Sequence, residues 1–293
     1  MKVLITGANG QLGFALQKTQ SFFAAAGNLE LIALTRADLD LEKPDTIANV
    51  LDQFSLDAII NAAAYTAVDK AESNWLLAQT VNSEAVKQLA IWCEKNKKTL
   101  IHISTDFVFD GKKSSPYETS DQTNPLGVYG KTKQQGEQLA LSECTSAYVV
   151  RTGWVYGEQG ANFAKTILRL ASEREQLGIV ADQIGTPTYA THLAEMLWQL
   201  LLLKPGQRMW HFSDAGVASW YDFAVAIVEQ AEIHGLLQRK PAIKPIATVD
   251  YPTPAQRPAF SVLDKKNTWE TLNLTPVHWR EALTKMLQAL KAL

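Results

Sequence analysis

Glycines at positions 7, 10 and 13, in the run Thr6-Gly7-Ala8-Asn9-Gly10-Gln11-Leu12-Gly13, follow directly on the apolar segment 2–6 and open a helical pattern. A strand that turns through glycines straight into a helix admits few folds. Gly7 permits the tight turn, Gly10 lets backbone N–H groups approach a pyrophosphate, and Gly13 allows the helix to pack closely. Asn9, Gln11 and Leu12 complete a loop whose N–H groups sit at the positive end of the helix. Because it begins a βαβ pattern, the loop predicts dinucleotide binding.

The rest of the first half repeats that rhythm. Lys2–Thr6, Leu29–Leu34, Ala58–Asn61, Leu100–Ser104 and Ala147–Arg151 read as strands, and their unbroken Val/Ile/Leu/Ala content is that of strands covered on both faces. The expected fold is therefore α/β, a Rossmann-like doubly wound parallel sheet. After Gly153 the rhythm weakens: Trp154, Trp210, Trp220 and Trp269 lie among irregular segments, and Pro241, Pro245, Pro252, Pro254 and Pro258 punctuate the chain. A smaller C-terminal α/β substrate domain is expected there. The helical run Thr188–Leu203 is expected to return to the sheet. The division is then 1–152 plus about 188–208 for the dinucleotide-binding domain, and about 153–187 plus 209–293 for the smaller one.

Composition narrows the partners. With 28 basic and 30 acidic side chains the formal charge is -2, and 46% of residues are hydrophobic. No basic footprint for nucleic acid or an anionic membrane surface is present. Cys93 and Cys144 lie far apart without metal-ligand or disulfide spacing. The N-terminus carries no apolar leader, and Leu193–Leu203 falls short of a membrane span. A cytoplasmic protein without membrane attachment is expected.

At the end of the second strand, Leu34-Thr35-Arg36 lacks the carboxylate that would grip a ribose 2′-hydroxyl. Arg36 instead suits a 2′-phosphate, which tilts the expectation to NADPH, with NADH as the alternative. Asp40 and Leu41 are placed beside the adenine, and Ala62, Ala63 and Ala64 leave room for close approach at the third strand's end. Farther on, Tyr129 and Lys133 are four residues apart in Tyr129-Gly130-Lys131-Thr132-Lys133, after Pro125 as a helix-start signal. On one helix face the ammonium would lower the phenol's pKa. Ser104-Thr105-Asp106 ends the fourth strand, at the sheet edge where ligands of open α/β folds bind, and Thr105 can hydrogen-bond a reacting oxygen.

Taken together, TGANGQLG, NAAAYTAVDKAE, STDFVFDG, YGKTK, RTGWVYG and DQIGTPT resemble the dTDP-4-dehydrorhamnose reductases, extended short-chain dehydrogenase/reductases, over nearly the whole chain. The resemblance implies reduction of the C4 ketone of dTDP-4-dehydro-β-L-rhamnose by NAD(P)H, giving dTDP-L-rhamnose. It assigns Thr105, Tyr129 and Lys133 to catalysis, Gly7, Gly10 and Gly13 to the pyrophosphate, and Tyr129 and Lys133 also to the cofactor. Ser104, Thr105, Asp106, Phe107, Trp154 and Arg257 fall at substrate positions. Two residues depart from the pattern: Phe107 stands where Tyr is usual, and Ala15 stands where some relatives carry a Glu that helps hold magnesium between subunits. No metal is therefore expected, a metal-bridged dimer is disfavoured, and the oligomeric state stays open. A related nucleotide-deoxyhexulose reductase, a 4-epimerase and a non-catalytic NADP-binding regulatory subunit remain alternatives, the last disfavoured by the complete Thr-Tyr-Lys set.

Overall fold

The computed structural model describes residues 1–24 and 29–292. Its core is a six-stranded, all-parallel sheet built from β1 (Lys2–Thr6), β2 (Glu30–Leu34), β3 (Ala58–Asn61), β4 (Thr99–Thr105), β5 (Ala147–Thr152) and β6 (Met209–His211). The spatial order is β2-β1-β3-β4-β5-β6. Chain direction across the sheet reverses between β1 and β3, and at that switch point the carboxyl ends of the strands leave a crevice. Every residue of β3 and β5 is buried, which is why their sequences carry no period-2 alternation.

The five strands expected from the sequence form within a residue of their expected ends. β6 was not among them: three residues give too short a run for periodicity to register. Because β6 pairs with β5, the return to the sheet extends at least to His211, beyond the expected limit of 208.

Helix α1 (Gln11–Ala24) opens at the glycine loop, α2 (Val128–Glu143) carries Tyr129 and Lys133, and α3 (Ala190–Leu203) lies against α1. Ala15 and Leu16 of α1 share one apolar cluster with Leu193, Leu197 and Leu200 of α3 and with Val3 and Ile5 of β1. The opposite face of the sheet is filled by a second cluster in which Leu4, Ile59, Leu100 and Val149 meet Val86, Leu89 and Ala140. The helix expected across Thr188–Leu203 starts two residues later, since Thr188–Tyr189 pairs as a short strand with Val155–Tyr156.

A third cluster organises the later segments. Helices Phe163–Glu173, Trp220–Ile233 and Trp279–Lys291 bury Ile167, Phe223, Ile227, Leu283 and Met286 together beside the strand pair Gln176–Val180 and Ala242–Ile246. Cys93 and Cys144 are buried free thiols. Among the described residues no helix is long and apolar enough to cross a membrane.

Candidate active site

One cleft of about 560 Å³ runs along the carboxyl edge of the sheet. Gly7, Asn9, Gly10, Gln11 and Leu12 line one end with Ala62, Ala63 and Ala64, Arg36, Asp40 and Leu41 border it, and Tyr129 and Lys133 lie farther along. These residues come from four separate segments of the sequence, 7–12, 36–41, 62–64 and 129–133. The glycines are required by space as much as by rotation. Gly7 adopts φ +69°, and a Cβ there would stand 3.0 Å from the Ala63 backbone. A Cβ on Gly13 would lie 2.2 Å from the Gly7 carbonyl oxygen. Gly13 therefore packs the turn onto the helix, as the sequence reading anticipated; unlike Gly7 and Gly10, with which that reading grouped it at the pyrophosphate, it does not itself line the cleft. The loop is a backbone cradle at a helix N-terminus, with room that any larger residue would fill, and this fits the pyrophosphate of a dinucleotide.

At the end of the cleft beside β2 Arg36 is engaged. Its guanidinium pairs with Glu42 and lies 3.6 Å from Asp40 Oδ1, while Thr35 donates to Asp38. Sequence reasoning missed Glu42, because no motif marks a lone acid eight residues past a strand.

At the other end α2 aligns its face beneath the end of β4. Tyr129 and Thr105 share a hydrogen bond, and the Phe107 ring stands edge-on to the Tyr129 ring at 5.8 Å. Thr105 Oγ1 donates to Asp106 Oδ1 at 3.1 Å and accepts from the Phe107 N–H at 3.2 Å, which fixes its rotamer. The expected depression of the phenol by Lys133 is reversed here: burial pushes Tyr129 up to about 12, opposed by the Thr105 hydrogen bond and aided by the Asp106 charge. Lys133 is 1% exposed and donates to the Ile103 carbonyl at 2.5 Å, with His102 Nε2 at 3.4 Å. Burial brings its ammonium down to about 8, against the favourable charge of Glu137.

Asp106 is buried, and burial raises its carboxyl to about 6 despite hydrogen bonds from Ser261 and Thr105. Gly153 makes room for it, since a Cβ there would lie 2.6 Å from the carboxylate. The Ser104 hydroxyl, expected at the substrate, is instead donated to Glu137 at 2.5 Å. Glu137 also receives Arg151 in a buried two-point ion pair of 2.8 and 2.7 Å. Ser104 thus secures the base of the site, and its hydroxyl is spoken for.

Trp154 and Arg257 lie outside the dinucleotide cleft. Trp154 sits at φ +52°, an unusual conformation for a bulky residue, and its indole stacks on Trp220 at 3.5 Å and 4°. Gly185 is pressed against the same ring, so a Cβ there would meet it at 2.6 Å. Arg257 forms a two-point ion pair with Asp69, at 2.8 and 3.1 Å, and also donates to Thr253 and the Ala255 carbonyl. Asp69 belongs to the short helix after β3, so this pair ties the C-terminal segments to the sheet. Asp69, Glu137, Arg151, His102 and Ser261 were not singled out from the sequence. Asp69 lies within NAAAYTAVDKAE and Arg151 opens RTGWVYG, two of the segments that carried the resemblance.

Comparison with known proteins follows from this geometry. The family profile described as "RmlD substrate binding domain" matches residues 1–292. A dTDP-4-dehydrorhamnose reductase from Aggregatibacter actinomycetemcomitans is 42% identical, covering 96% of this chain and 97% of that protein. The crystal structure of such a reductase from Clostridium acetobutylicum superposes with a TM-score of 0.91 at 36% identity, covering 99% of this chain and 100% of that one. The Bacillus anthracis reductase, solved in complex with NADP, gives a TM-score of 0.90 at 32% identity, with 98% and 99% covered.

Proposed function

The chain belongs to the dTDP-4-dehydrorhamnose reductase family, and from that premise we propose that it reduces the C4 ketone of dTDP-4-dehydro-β-L-rhamnose with NADPH, giving dTDP-L-rhamnose. NADH is the alternative reductant. The observation that carries the reading is one continuous cleft with a glycine cradle at one end and Tyr129, Thr105 and Lys133 gathered at the other.

Bound NADPH supplies the hydride. What the chain supplies is a place for the charge that then develops on the ketone oxygen. Tyr129, held near 12, keeps its proton throughout the neutral range and releases it to an alkoxide, which is far more basic than a phenolate. Thr105 shares a hydrogen bond with the phenol, and by turning its one hydroxyl proton from Asp106 to the phenol oxygen it would stabilise the phenolate left behind. Lys133, one turn along α2 from Tyr129, is the residue we assign to the cofactor's ribose and to supplying positive charge near the phenolate. Gly7, Gly10 and the N–H groups of residues 9–12 would hold the pyrophosphate, and Arg36, Asp40 and Leu41 the adenosine end.

Asp106, Phe107, Trp154 and Arg257 are assigned to the sugar nucleotide. The segments about 153–187 and 212–293 form its domain, and residues 1–152 with about 188–211 form the cofactor domain. Arg257 suits the diphosphate because a guanidinium matches two oxygens at once. We place the protein in the cytoplasm, where buried free thiols such as Cys93 and Cys144 persist.

The test follows NADPH absorbance after purified protein is added to dTDP-4-dehydrorhamnose generated in situ, with product identified as dTDP-rhamnose. Protein-dependent oxidation with that product is expected. NADPH binding without oxidation would point to another deoxyhexulose as substrate.

A further inference from the structure

Below the cleft a line of buried polar side chains crosses the sheet at right angles to the strands. Lys133 Nζ of α2 lies 3.4 Å from His102 Nε2 on β4, and Asn61 Nδ2 on β3 lies 3.1 Å from His102 Nδ1. Asn61 Oδ1 accepts the Thr6 hydroxyl of β1 at 2.6 Å, and Thr6 Oγ1 in turn accepts the Ala63 N–H at 3.1 Å. His102 and Asn61 are each 0% exposed. Thr6 immediately precedes Gly7, and Ala63 is the residue against which Gly7 turns, so the line ends under the glycine loop.

We propose that His102 is a positioning residue for Lys133, its Nε2 accepting a proton of the ammonium while its Nδ1–H is anchored on Asn61. The proton count supports this. An ammonium can only donate, so Nε2 must accept; a neutral imidazole has one N–H, which is then on Nδ1 and needs the amide oxygen of Asn61. A half-turn of the Asn61 amide brings its Oδ1 to Nδ1 and its Nδ2 to Thr6 Oγ1, whose two lone pairs then accept that N–H and the Ala63 N–H. Burial and the adjacent Lys133 charge hold His102 well below the ordinary histidine range, so the ring stays neutral. Gly136 makes the approach possible, because a Cβ there would stand 3.4 Å from Nε2 and 2.1 Å from the Asn82 carbonyl.

The other groups around Lys133 are fixed by different means. The Ile103 carbonyl is backbone, Tyr129 and Glu137 are one turn away on α2, and Glu137 is held by Arg151 of β5 and Ser104 of β4. Arg151 in turn lies 3.4 Å from the neutral His211 of β6. His102 is thus the side chain on β4 that aims the ammonium without charge of its own, and it links Lys133's position to the floor of the cofactor loop.

The inference rests on Lys133 serving the reductase reaction, and its test separates the two. Asn places an amide where Nδ1 was and leaves Lys133 without its acceptor, whereas Gln places one where Nε2 was. His102→Asn is expected to displace the basic limb of the kcat profile, set by Lys133 near 8, downward by about one unit, which is roughly tenfold in kcat above it. It is also expected to weaken NADPH binding, measured by fluorescence. His102→Gln is expected to restore both to within about twofold of wild type. Equal limbs and equal NADPH affinities in the two variants, with only Tm altered, would overturn the proposal. In wild-type protein carrying ¹⁵N-histidine, the expected spectrum shows His102 protonated on Nδ1, with Nε2 shifting as Lys133 titrates. A proton on Nε2 overturns it whether or not the variants fold. Absence of turnover in the wild type would count against the reductase reading alone, since the NADPH and NMR measurements need no substrate.

Discussion

A phenol pushed up to about 12 is a poor base and a secure proton store, and Tyr129 holds that proton beside Thr105 in the interior of the cleft. Tyr129→Phe removes the stored proton and leaves the ring that packs against Phe107. Its kcat is expected to fall roughly 10²–10⁴-fold while NADPH affinity stays within about twofold; single-turnover kinetics beside a binding titration check both. At the far end Arg36→Ala is expected to weaken NADPH about tenfold or more and NADH by less than twofold, read from kcat/KM for each cofactor. Equal losses would show that Arg36 does not read the 2′-phosphate. Tyr129 and Lys133 were legible in the sequence because a helix turns a spacing of four into adjacency. Thr105 was legible because it ends a strand. Glu137, Arg151 and His102 were not, because their partners lie 14 to 60 residues away and meet only once the strand order is set. The direction of the Tyr129 shift was misjudged for a related reason: spacing reveals a neighbouring charge, but desolvation depends on everything packed around the ring.

Helix α2 begins three residues after Pro125, and the reason lies elsewhere in the chain. The Val128 N–H, unpaired within the helix, is donated to Glu72 Oε1 at 2.8 Å, and Gly127 leaves the room, since a Cβ there would sit 2.6 Å from that oxygen. A carboxylate at a helix N-terminus also meets the positive end of the dipole. Glu72→Ala is expected to cost about 1 kcal/mol in denaturant unfolding. It should also lower kcat a few-fold, because Tyr129 is the next residue; unchanged kcat with reduced stability would confine Glu72 to a structural role. The glycine loop and β1 to β5 could be expected from local pattern alone. The start of α2 could not, because its cap comes from 56 residues upstream. Nor could β6, whose three residues join the sheet only through pairing with β5.

Across the whole molecule, the Asp69–Arg257 pair joins segments 188 residues apart and holds the C-terminal part of the chain against the sheet. The Arg257 hydrogen bond keeps the Asp69 carboxyl below its ordinary range, so the pair persists at any pH where the enzyme works. Asp69→Asn removes the charge and leaves the shape. It is expected to raise KM for the sugar nucleotide several-fold with kcat and NADPH affinity nearly unchanged; a loss in kcat alone would mean that Arg257 does not read the substrate. The stacked indoles of Trp154 and Trp220 have a consequence of another kind. Two such chromophores in van der Waals contact share their electronic excitation, so the protein carries its own optical antenna beside the segment proposed to bind the sugar nucleotide. Its circular dichroism should contain a paired band of opposite signs that Trp220→Phe abolishes. Titration with dTDP-sugar should change that band without any added label, which would make substrate arrival visible before any hydride moves.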